Sequence, residues 1–281
     1  MLVERLFRAY VHAPDHPGKL RIERWIGASC LPAKGGRFEV DCGVTLQLHP
    51  RDWIEYVLIR EGRYEPLTLR FLEKNLQPGH GALLAGINFG LHVVVASRAV
   101  GPSGRVVGVD PQIQALRRTR DHLALNGAPA NVRLVPAALG RRPGVVIVDD
   151  PPADNAGNAN LRTPGSGPAC VLCTPIGELW RLVHPGAPSP DLLLLDVEGF
   201  EGEVLAGFDA HFRPGLIVIE LRDDLLRQMG SSAAQVCAHL ADMGYALHAL
   251  DGRRANAGDA LPEHNAIAVH RDCGPVRFLD P

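Results

Sequence analysis

Residues 82–110, ALLAGINFGLHVVVASRAVGPSGRVVGVD, decide the predicted fold of this chain. A short apolar run ends at Gly86, a helix-length segment follows, and a second apolar run ends at Asp110. Such alternation of strand, turn, helix and strand is typical of parallel strands that are joined by right-handed crossovers. We therefore predict an α/β fold that is built on a parallel sheet.

Further apolar runs extend the same pattern along the chain. Residues 191–199, DLLLLDVEG, predict a central strand that is buried on both faces. Residues 111–126 predict an amphipathic helix with Ile113, Leu116 and Leu123 on its apolar side. The other predicted elements are strands over residues 132–138, 215–221, 245–250 and 266–270 and a helix over residues 233–243.

The N-terminal part of the sequence differs from this pattern. Two alternating stretches that meet at Gly43 predict a hairpin over residues 38–48, and apolar spacing over residues 53–76 predicts two helices that are separated at Gly62. We expect an N-terminal cap over residues 1–75 and a main domain over residues 76–281. Residues 150–167 are rich in Pro, Asn, Gly and Asp, which predicts a long loop that shapes the acceptor pocket together with the cap.

Composition narrows the class of protein. The 281 residues are 46% hydrophobic, which is enough for a substantial core. The 29 basic and 31 acidic residues nearly balance, so no basic field favours nucleic acid or an anionic membrane. The apolar runs are too short for a signal peptide or a membrane span, and we expect a cytoplasmic protein. Cys170 and Cys173 form a single CxxC without a second ligand pair, which favours packing in a strand over metal binding or redox chemistry.

Candidate functional residues follow from strand ends, because ligands of open parallel sheets bind at the carboxyl ends of the strands. These residues are Gly86, Asn88, Gly90, Asp110, Asp196, Glu198 and Glu220. Glycines permit a tight turn and a close approach of the backbone to a ligand. Asp110 is placed to accept hydrogen bonds from ribose hydroxyls; the alternative is that it caps the next helix. The segment lacks the G-x-G-x-x-G pattern of dinucleotide enzymes, which argues against NAD.

Several motifs occur in the order that is usual for one family. They are HPRD (49–52), GRYEP (62–66), LQPGHGALLAGINFGLH (76–92), GRVVGVDP (104–111), LNG (125–127) and LLLDVEGFEGEVLAG (193–207). The last is the most specific, and the set resembles the FkbM-type family of S-adenosylmethionine (SAM)-dependent methyltransferases. The resemblance implies a Rossmann-like class I methyltransferase sheet in the order 3-2-1-4-5-7-6, with SAM across the first two strands.

The resemblance also implies roles for individual residues. It places Gly86, Asn88 and Gly90 beside the cofactor, Asp110 on the ribose, Ala137 and Ala138 beside the adenine, and Asp196 and Glu198 toward the transferred methyl. The sequence departs from the family at Leu84, where an acidic residue is usual, and at Ile87, where a small one is usual. Glu65, which matches a glutamate of the family, is the candidate to supply the missing carboxylate.

The leading hypothesis is methyl transfer to a hydroxyl of a small molecule, such as a bacterial secondary metabolite, a sugar or a glycolipid. An attacking hydroxyl benefits from a general base, for which Asp196 is the first candidate and His92 the second. Asp196 and Glu220 could together hold Mg²⁺, but no third ligand is evident and we expect no metal.

A homodimer is an open alternative to a single chain. Leu84 and Ile87 keep a second hypothesis open, a non-catalytic protein of the same fold that acts as a binding or partner subunit.

Two further positions carry alternatives. Glu201 is expected to cap the helix that follows Asp196, because negative charge is favourable at a helix N-terminus. His264 and Asn265 precede the last strand and could line the acceptor pocket; the alternative is an exposed turn.

Overall fold

The computed structural model describes residues 2–30, 35–50, 52–148, 161–162 and 169–280. Its helices are α1 (Leu2–Val11), α2 (Lys19–Cys30), α3 (Trp53–Glu61), α4 (Pro66–Asn75), α5 (Leu91–Val100), α6 (Ile113–Leu125), α7 (Ile176–Val183), α8 (Glu201–Leu205), α9 (Asp223–Gln228) and α10 (Ala233–Asp242). Its strands are β1 (Gly36–Glu39), β2 (Thr45–Leu48), β3 (Gly81–Ala85), β4 (Arg105–Asp110), β5 (Val132–Pro136), β6 (Ala138–Leu139), β7 (Gly144–Val148), β8 (Leu161–Arg162), β9 (Ala169–Thr174), β10 (Leu192–Leu195), β11 (Leu216–Glu220), β12 (Tyr245–His248) and β13 (Asn265–His270), with a 3₁₀ turn at Pro262–His264.

Seven strands form the central sheet in the order β5-β4-β3-β10-β11-β13-β12. Neighbouring strands from β5 to β11 are parallel, whereas β13 runs antiparallel to both β11 and β12. Strand β10 lies in the middle and all four of its leucines are buried, which confirms the prediction of a central strand. The carboxyl ends of β3, β4, β10 and β11 therefore lie along one edge of the sheet.

Helices cover both faces of this sheet, as parallel strands require. One face packs on α5, α6 and the N-terminal elements, and the other packs on α7, α8 and α10. Successive residues of β3 alternate between the two faces: Leu84 belongs to the first core and Leu83 to the second. The two cores give the fold three layers.

The N-terminal hairpin and the two helices after it agree with the prediction. Gly43 has φ +68° in the turn between β1 and β2. Asp52 caps α3 by accepting a hydrogen bond from the Glu55 N–H, and Gly62 ends that helix at φ +76°. Helices α1 and α2 were not predicted. Phe7 of α1 is buried in the same core as the first face of the sheet. This core therefore includes side chains from both sides of the predicted boundary between the cap (1–75) and the main domain (76–281).

Three predictions are corrected by the structure. Residues 132–138 do not form one strand: β5 ends at Pro136, and β6 joins a second sheet in the order β6-β9-β7-β8. Ile113 does not lie in the core, because it opens α6 and is 49% exposed. Most of residues 150–167 lie outside the described residues, but Leu161–Arg162 forms a strand that pairs with β7.

The cysteine pair lies on a strand, as expected. Cys170 and Cys173 both belong to β9 and are free thiols, the first exposed and the second buried. Within the described ranges, no helix has the length and apolar character needed to cross a bilayer.

Candidate functional site

A cavity of about 210 Å³ opens at the carboxyl edge of the central sheet. Nine of the residues singled out from the sequence line it: Glu65, Gly86, Asn88, Asp110, Ala137, Ala138, Asp196, Glu198 and Glu220. Residues that sequence reasoning had not selected complete the wall: Ile54, Tyr64, Ala85, Val109, Pro111, Gln112, Leu139, Val197 and Arg222. The strand ends of β3, β4, β10 and β11 thus converge on one site.

Gly86 allows two of these strand ends to approach each other closely. It has φ +77°, and a Cβ at this position would lie 1.6 Å from the carbonyl oxygen of Asp196. The Gly86 N–H donates to the Val109 carbonyl at 3.0 Å, and the Asp196 N–H donates to the Ala85 carbonyl at 3.1 Å. Any side chain here would separate β3 from β10, so the space that glycine leaves is filled by the protein's own backbone.

Asp110 is buried rather than projecting into solvent, since only 5% of it is exposed. Its Oδ2 accepts a hydrogen bond from the Ile87 N–H at 3.1 Å, and its Oδ1 accepts one from the Gln112 N–H at 2.8 Å. Burial raises the pKa of Asp110 to about 6, although the hydrogen bonds from Gln112 and Ile87 act in the opposite direction. The carboxylate therefore ties the Gly86 turn to the end of β4 and also forms part of the cavity wall.

Replacing Asp110 with asparagine is expected to weaken both the fold and SAM binding. An amide has one acceptor oxygen, so the Ile87 or the Gln112 N–H loses its partner, at a cost of about 1 to 3 kcal/mol. Chemical denaturation and calorimetric titration with SAM measure the two effects. An unchanged free energy of unfolding would contradict the structural role, and unchanged SAM affinity would contradict the role in the cavity.

Four carboxylates besides Asp110 line the cavity: Glu65, Asp196, Glu198 and Glu220. Burial raises the pKa of Asp196 well above its ordinary value, and the nearby charges of Glu220 and Glu65 raise it further. Burial also raises the pKa of Glu220 to about 8, with Glu198 as the next contributor. The same cause, burial, raises the pKa of Glu198. Asp196, Glu198 and Glu220 therefore each hold their proton more tightly than an ordinary carboxyl group does.

Glu201 organises the turn that carries Asp196 and Glu198. Only 1% of Glu201 is exposed, and its Oε1 accepts hydrogen bonds from the Val197 N–H at 3.0 Å and the Gly199 N–H at 3.3 Å. Burial raises the pKa of Glu201 to about 7. Its carboxylate thus binds N–H groups of the turn before α8 and makes no hydrogen bond that caps the helix, so Glu201 stabilises this turn in place of the expected helix cap.

Tyr64 and Arg222 are the main cavity residues that sequence reasoning missed. Burial raises the pKa of the Tyr64 hydroxyl, and the Glu65 carboxylate raises it further. Arg222 forms an ion pair with Asp224 at 2.7 Å, and its charge lowers the pKa of Glu198. A signal existed in both cases, because Tyr64 precedes Glu65 in the GRYEP motif and Arg222 follows the strand end at Glu220 by two residues.

His92 and Gly90, which were also selected from the sequence, lie near the cavity but do not line it. His92 does not line the cavity, but its Nε2 lies 3.3 Å from Oε2 of Glu65. This contact is not aligned as a hydrogen bond, and among the described residues the His92 Nε2 has no hydrogen-bond partner. Gly90 has φ +85° at the start of α5, and a Cβ there would lie 2.5 Å from Thr119, so Gly90 serves helix packing.

His264 and Asn265 also lie outside the cavity wall. His264 is exposed, whereas the buried Asn265 donates from Nδ2 to Oγ1 of Thr68 at 2.9 Å. The exposed His264 fits the alternative of an exposed turn, whereas Asn265 binds the first turn of α4.

Leu84 and Ile87, the departures from the family pattern, do not line the cavity either. Both side chains are buried in the core on the first face of the sheet. A Cβ on Gly108 would lie 3.3 Å from Ile87, so the isoleucine fills the space that this glycine leaves. The two residues are core residues, and the acidic groups of the cavity come from other positions.

In the part of the chain that the structure describes, no group of three or more His, Cys, Asp or Glu side chains has an arrangement that could hold a metal ion. Asp196 and Glu220, the two weak candidates, both line the cavity. The charge of Glu220 raises the pKa of Asp196 beyond the rise that burial causes.

The protein-family model for the methyltransferase FkbM domain matches residues 85–247, which is more than half of the chain. The chain belongs to the FkbM methyltransferase family. It is a SAM-dependent methyltransferase, and its Rossmann-like α/β fold agrees with the fold class that the sequence predicted. The family assignment favours the enzyme over the non-catalytic alternative.

Solved structures that are similar to this chain include methyltransferases. An O-methyltransferase from Bacillus cereus in complex with SAH is 12% identical with a TM-score of 0.44, and the match covers 96% of this chain and 97% of that one. A precorrin-6y C5,15-methyltransferase from Geobacter metallireducens is 17% identical with a TM-score of 0.42, over 73% of this chain and 87% of that one. Among curated proteins, none matches the chain significantly.

Proposed function

We propose that this methyltransferase transfers the methyl group of SAM to a hydroxyl oxygen of a small molecule. The observation that carries the proposal is the group of partly buried carboxylates at the ends of β10 and β11, beside the wall that Gly86 and Asp110 form. A buried carboxylate with a raised pKa is a better proton acceptor near neutral pH than an ordinary one. Such a group suits an acceptor that must lose a proton as it is methylated.

The side chains of the cavity fit SAM, which carries a cationic sulfonium, a cationic ammonium and an anionic carboxylate. Glu65 and Glu198 offer negative charge to the cationic groups. Arg222 is the one cation among the described residues that line the cavity, and it suits the carboxylate. Asp110 and Asn88 would hold the ribose side, and the small side chains of Ala137 and Ala138 would border the adenine.

When bound, SAM supplies a methyl group that is already activated on its sulfonium, so the protein has to orient the acceptor, exclude water and accept a proton. Asp196 is the residue that we assign to the proton. It ends the central strand β10, and its carboxyl group lies close enough to Glu220 and Glu65 for their charges to raise its pKa. Tyr64 and Ile54 bring apolar surface from the N-terminal elements to the cavity, which helps to exclude water.

Ligand binding is the first test of this proposal. At SAM concentrations ten times the dissociation constant, mass action should stabilise the fold by about 1.4 kcal/mol and raise the melting temperature by roughly 3 to 5 °C. Thermal unfolding with SAM and with its demethylated product measures the effect. The absence of any shift at millimolar concentrations of either ligand would contradict the proposal.

The acceptor class needs a second experiment. Incubation with methyl-labelled SAM and a small-molecule extract, followed by mass spectrometry, should yield a product in which a hydroxyl has become a methyl ether. A label on nitrogen or carbon would contradict the assignment to a hydroxyl while leaving the methyl transfer itself intact.

A further inference from the structure

Helix α4 begins directly after Glu65, yet Glu65 does not cap it. Glu65 has left-handed backbone angles of φ 43° and ψ 54°, and its side chain makes no capping hydrogen bond. Pro66 has no N–H, and the Leu69 N–H already donates to the Glu65 carbonyl at 3.0 Å. The N–H groups of Leu67 and Thr68 are therefore the ones in the first turn that need an acceptor from elsewhere.

Glu263 supplies that acceptor from the other end of the chain. Its Oε1 accepts from the Leu67 N–H at 2.9 Å, and its Oε2 accepts from the Thr68 N–H at 2.8 Å and from the Thr68 hydroxyl at 2.7 Å. Asn265 adds a hydrogen bond to the same hydroxyl at 2.9 Å. One carboxylate thus satisfies both free N–H groups at the positive end of the helix.

The turn that carries Glu263 is fixed to the catalytic edge of the sheet. Glu263 and His264 have φ values of 54° and 57°, an unfavourable pair for residues other than glycine, which the neighbouring contacts must hold in place. The Leu221 N–H donates to the His264 carbonyl at 2.9 Å, and Glu220 is the register partner of Asn265 in the sheet. The turn therefore joins the end of β11 to the start of α4.

We propose that Glu263 is a positioning residue, which holds Glu65 on the cavity wall through the first turn of α4 and so sets the affinity for SAM. This proposal rests on the proposed function, in which Glu65 faces a cationic group of SAM. Glu263 itself is not a cavity residue. It acts through the backbone of residues 65–68, which its carboxylate anchors.

The test is a double-mutant cycle on the full-length protein. Glu65→Gln and Glu263→Gln are each expected to raise the dissociation constant for SAM about tenfold, and the double variant should show nearly the same tenfold loss rather than the product of the two. Calorimetric titration with SAM measures each value. Multiplied effects in the double variant, or an unchanged dissociation constant for Glu263→Gln, would overturn the proposal.

Ser232→Ala is the matched control for a lost helix cap. Ser232 caps α10 by accepting from the Gln235 N–H at 3.2 Å, and it does not line the cavity. The Ser232→Ala substitution should lower the melting temperature by a few degrees without a change in SAM affinity. If Ser232→Ala weakens SAM as much as Glu263→Gln does, the effect is general instability and the positioning role is wrong.

A readout without SAM separates this inference from the proposed function. In Glu263→Gln, the side-chain amide has one acceptor oxygen, so either the Leu67 or the Thr68 N–H loses its acceptor, and that amide hydrogen should exchange with deuterium at least about tenfold faster than in the wild type. Unchanged exchange would overturn the positioning role whatever the ligand. A wild-type protein that fails to bind SAM, but shows the faster exchange in the variant, would contradict the proposed function alone.

Discussion

Asp196→Asn is expected to lower the rate of methyl transfer by about a hundredfold or more, the usual scale for the loss of a general base. The amide keeps the shape of the side chain and removes its ability to accept a proton. Asp196 ends the most apolar strand of the sheet, where a carboxyl group is costly to bury without a functional reason. The dissociation constant for SAM should change only a few-fold, because Glu65 and Asp110 remain in place.

Steady-state rates with labelled SAM measure this effect, and the pH profile identifies its cause. Burial and the neighbouring carboxylates raise the pKa of Asp196, so wild-type kcat/KM should increase as the pH rises through the ionisation of the cluster. The variant should lose that increase. Asp242→Asn, at the exposed end of α10, is the matched control and should retain the wild-type rate.

The same assay, repeated with EDTA and then with Mg²⁺, separates a base from a metal ligand. Loss and rescue of wild-type activity would make Asp196 a metal ligand beside Glu220. Equal turnover by the variant and the wild type under both conditions would contradict both roles. His92, which contacts Glu65, would then be the residue to test.

The strand ends could be predicted from the sequence because burial of apolar residues and the geometry of parallel sheets determine where they lie. Apolar runs such as residues 192–195 have to be buried, and the carboxyl ends of parallel strands meet at one edge of a sheet. Asp110, Asp196 and Glu220 could therefore be assigned to one cavity without knowledge of their contacts. The elements that were missed depend on contacts that no local pattern records.

Strand β6 illustrates the limit for the fold. Residues 132–138 predict one strand, but the chain changes sheets after Pro136, and β6 pairs with β9 through Ala138 and Leu139. Glu263 illustrates the limit for the site. It binds Thr68 from a turn near the opposite end of the chain, and nothing in either local sequence indicates the other. Tertiary contacts decide both cases.

The acidic groups of the cavity should lower the free energy of unfolding at high pH, relative to its value at low pH. Burial, followed by the charge of Glu198, raises the pKa of Glu220 from its ordinary value to about 8 in the folded protein. The unfolded chain loses this proton near pH 4.5, whereas the folded protein keeps it until about pH 8. Stability from this group is therefore complete below the unfolded pKa and is lost as the pH rises through the folded pKa.

Glu220→Gln is consequently expected to stabilise the apoprotein, and by an amount that grows between about pH 5 and pH 9. Because each tenfold change in proton affinity corresponds to about 1.4 kcal/mol, the rise of the pKa from 4.5 to about 8 predicts a gain at pH 9 on the order of 5 kcal/mol, while SAM affinity or turnover falls. Denaturation at a series of pH values measures the gain. Glu178→Gln, on the exposed side of α7, is the matched control and should show no such pH dependence. A Glu220 variant that is less stable than the wild type at pH 9 would contradict this prediction. It would show that favourable contacts hold the Glu220 carboxylate, so that the acidic cluster stabilises the fold and does not lower its stability for the sake of binding a cation.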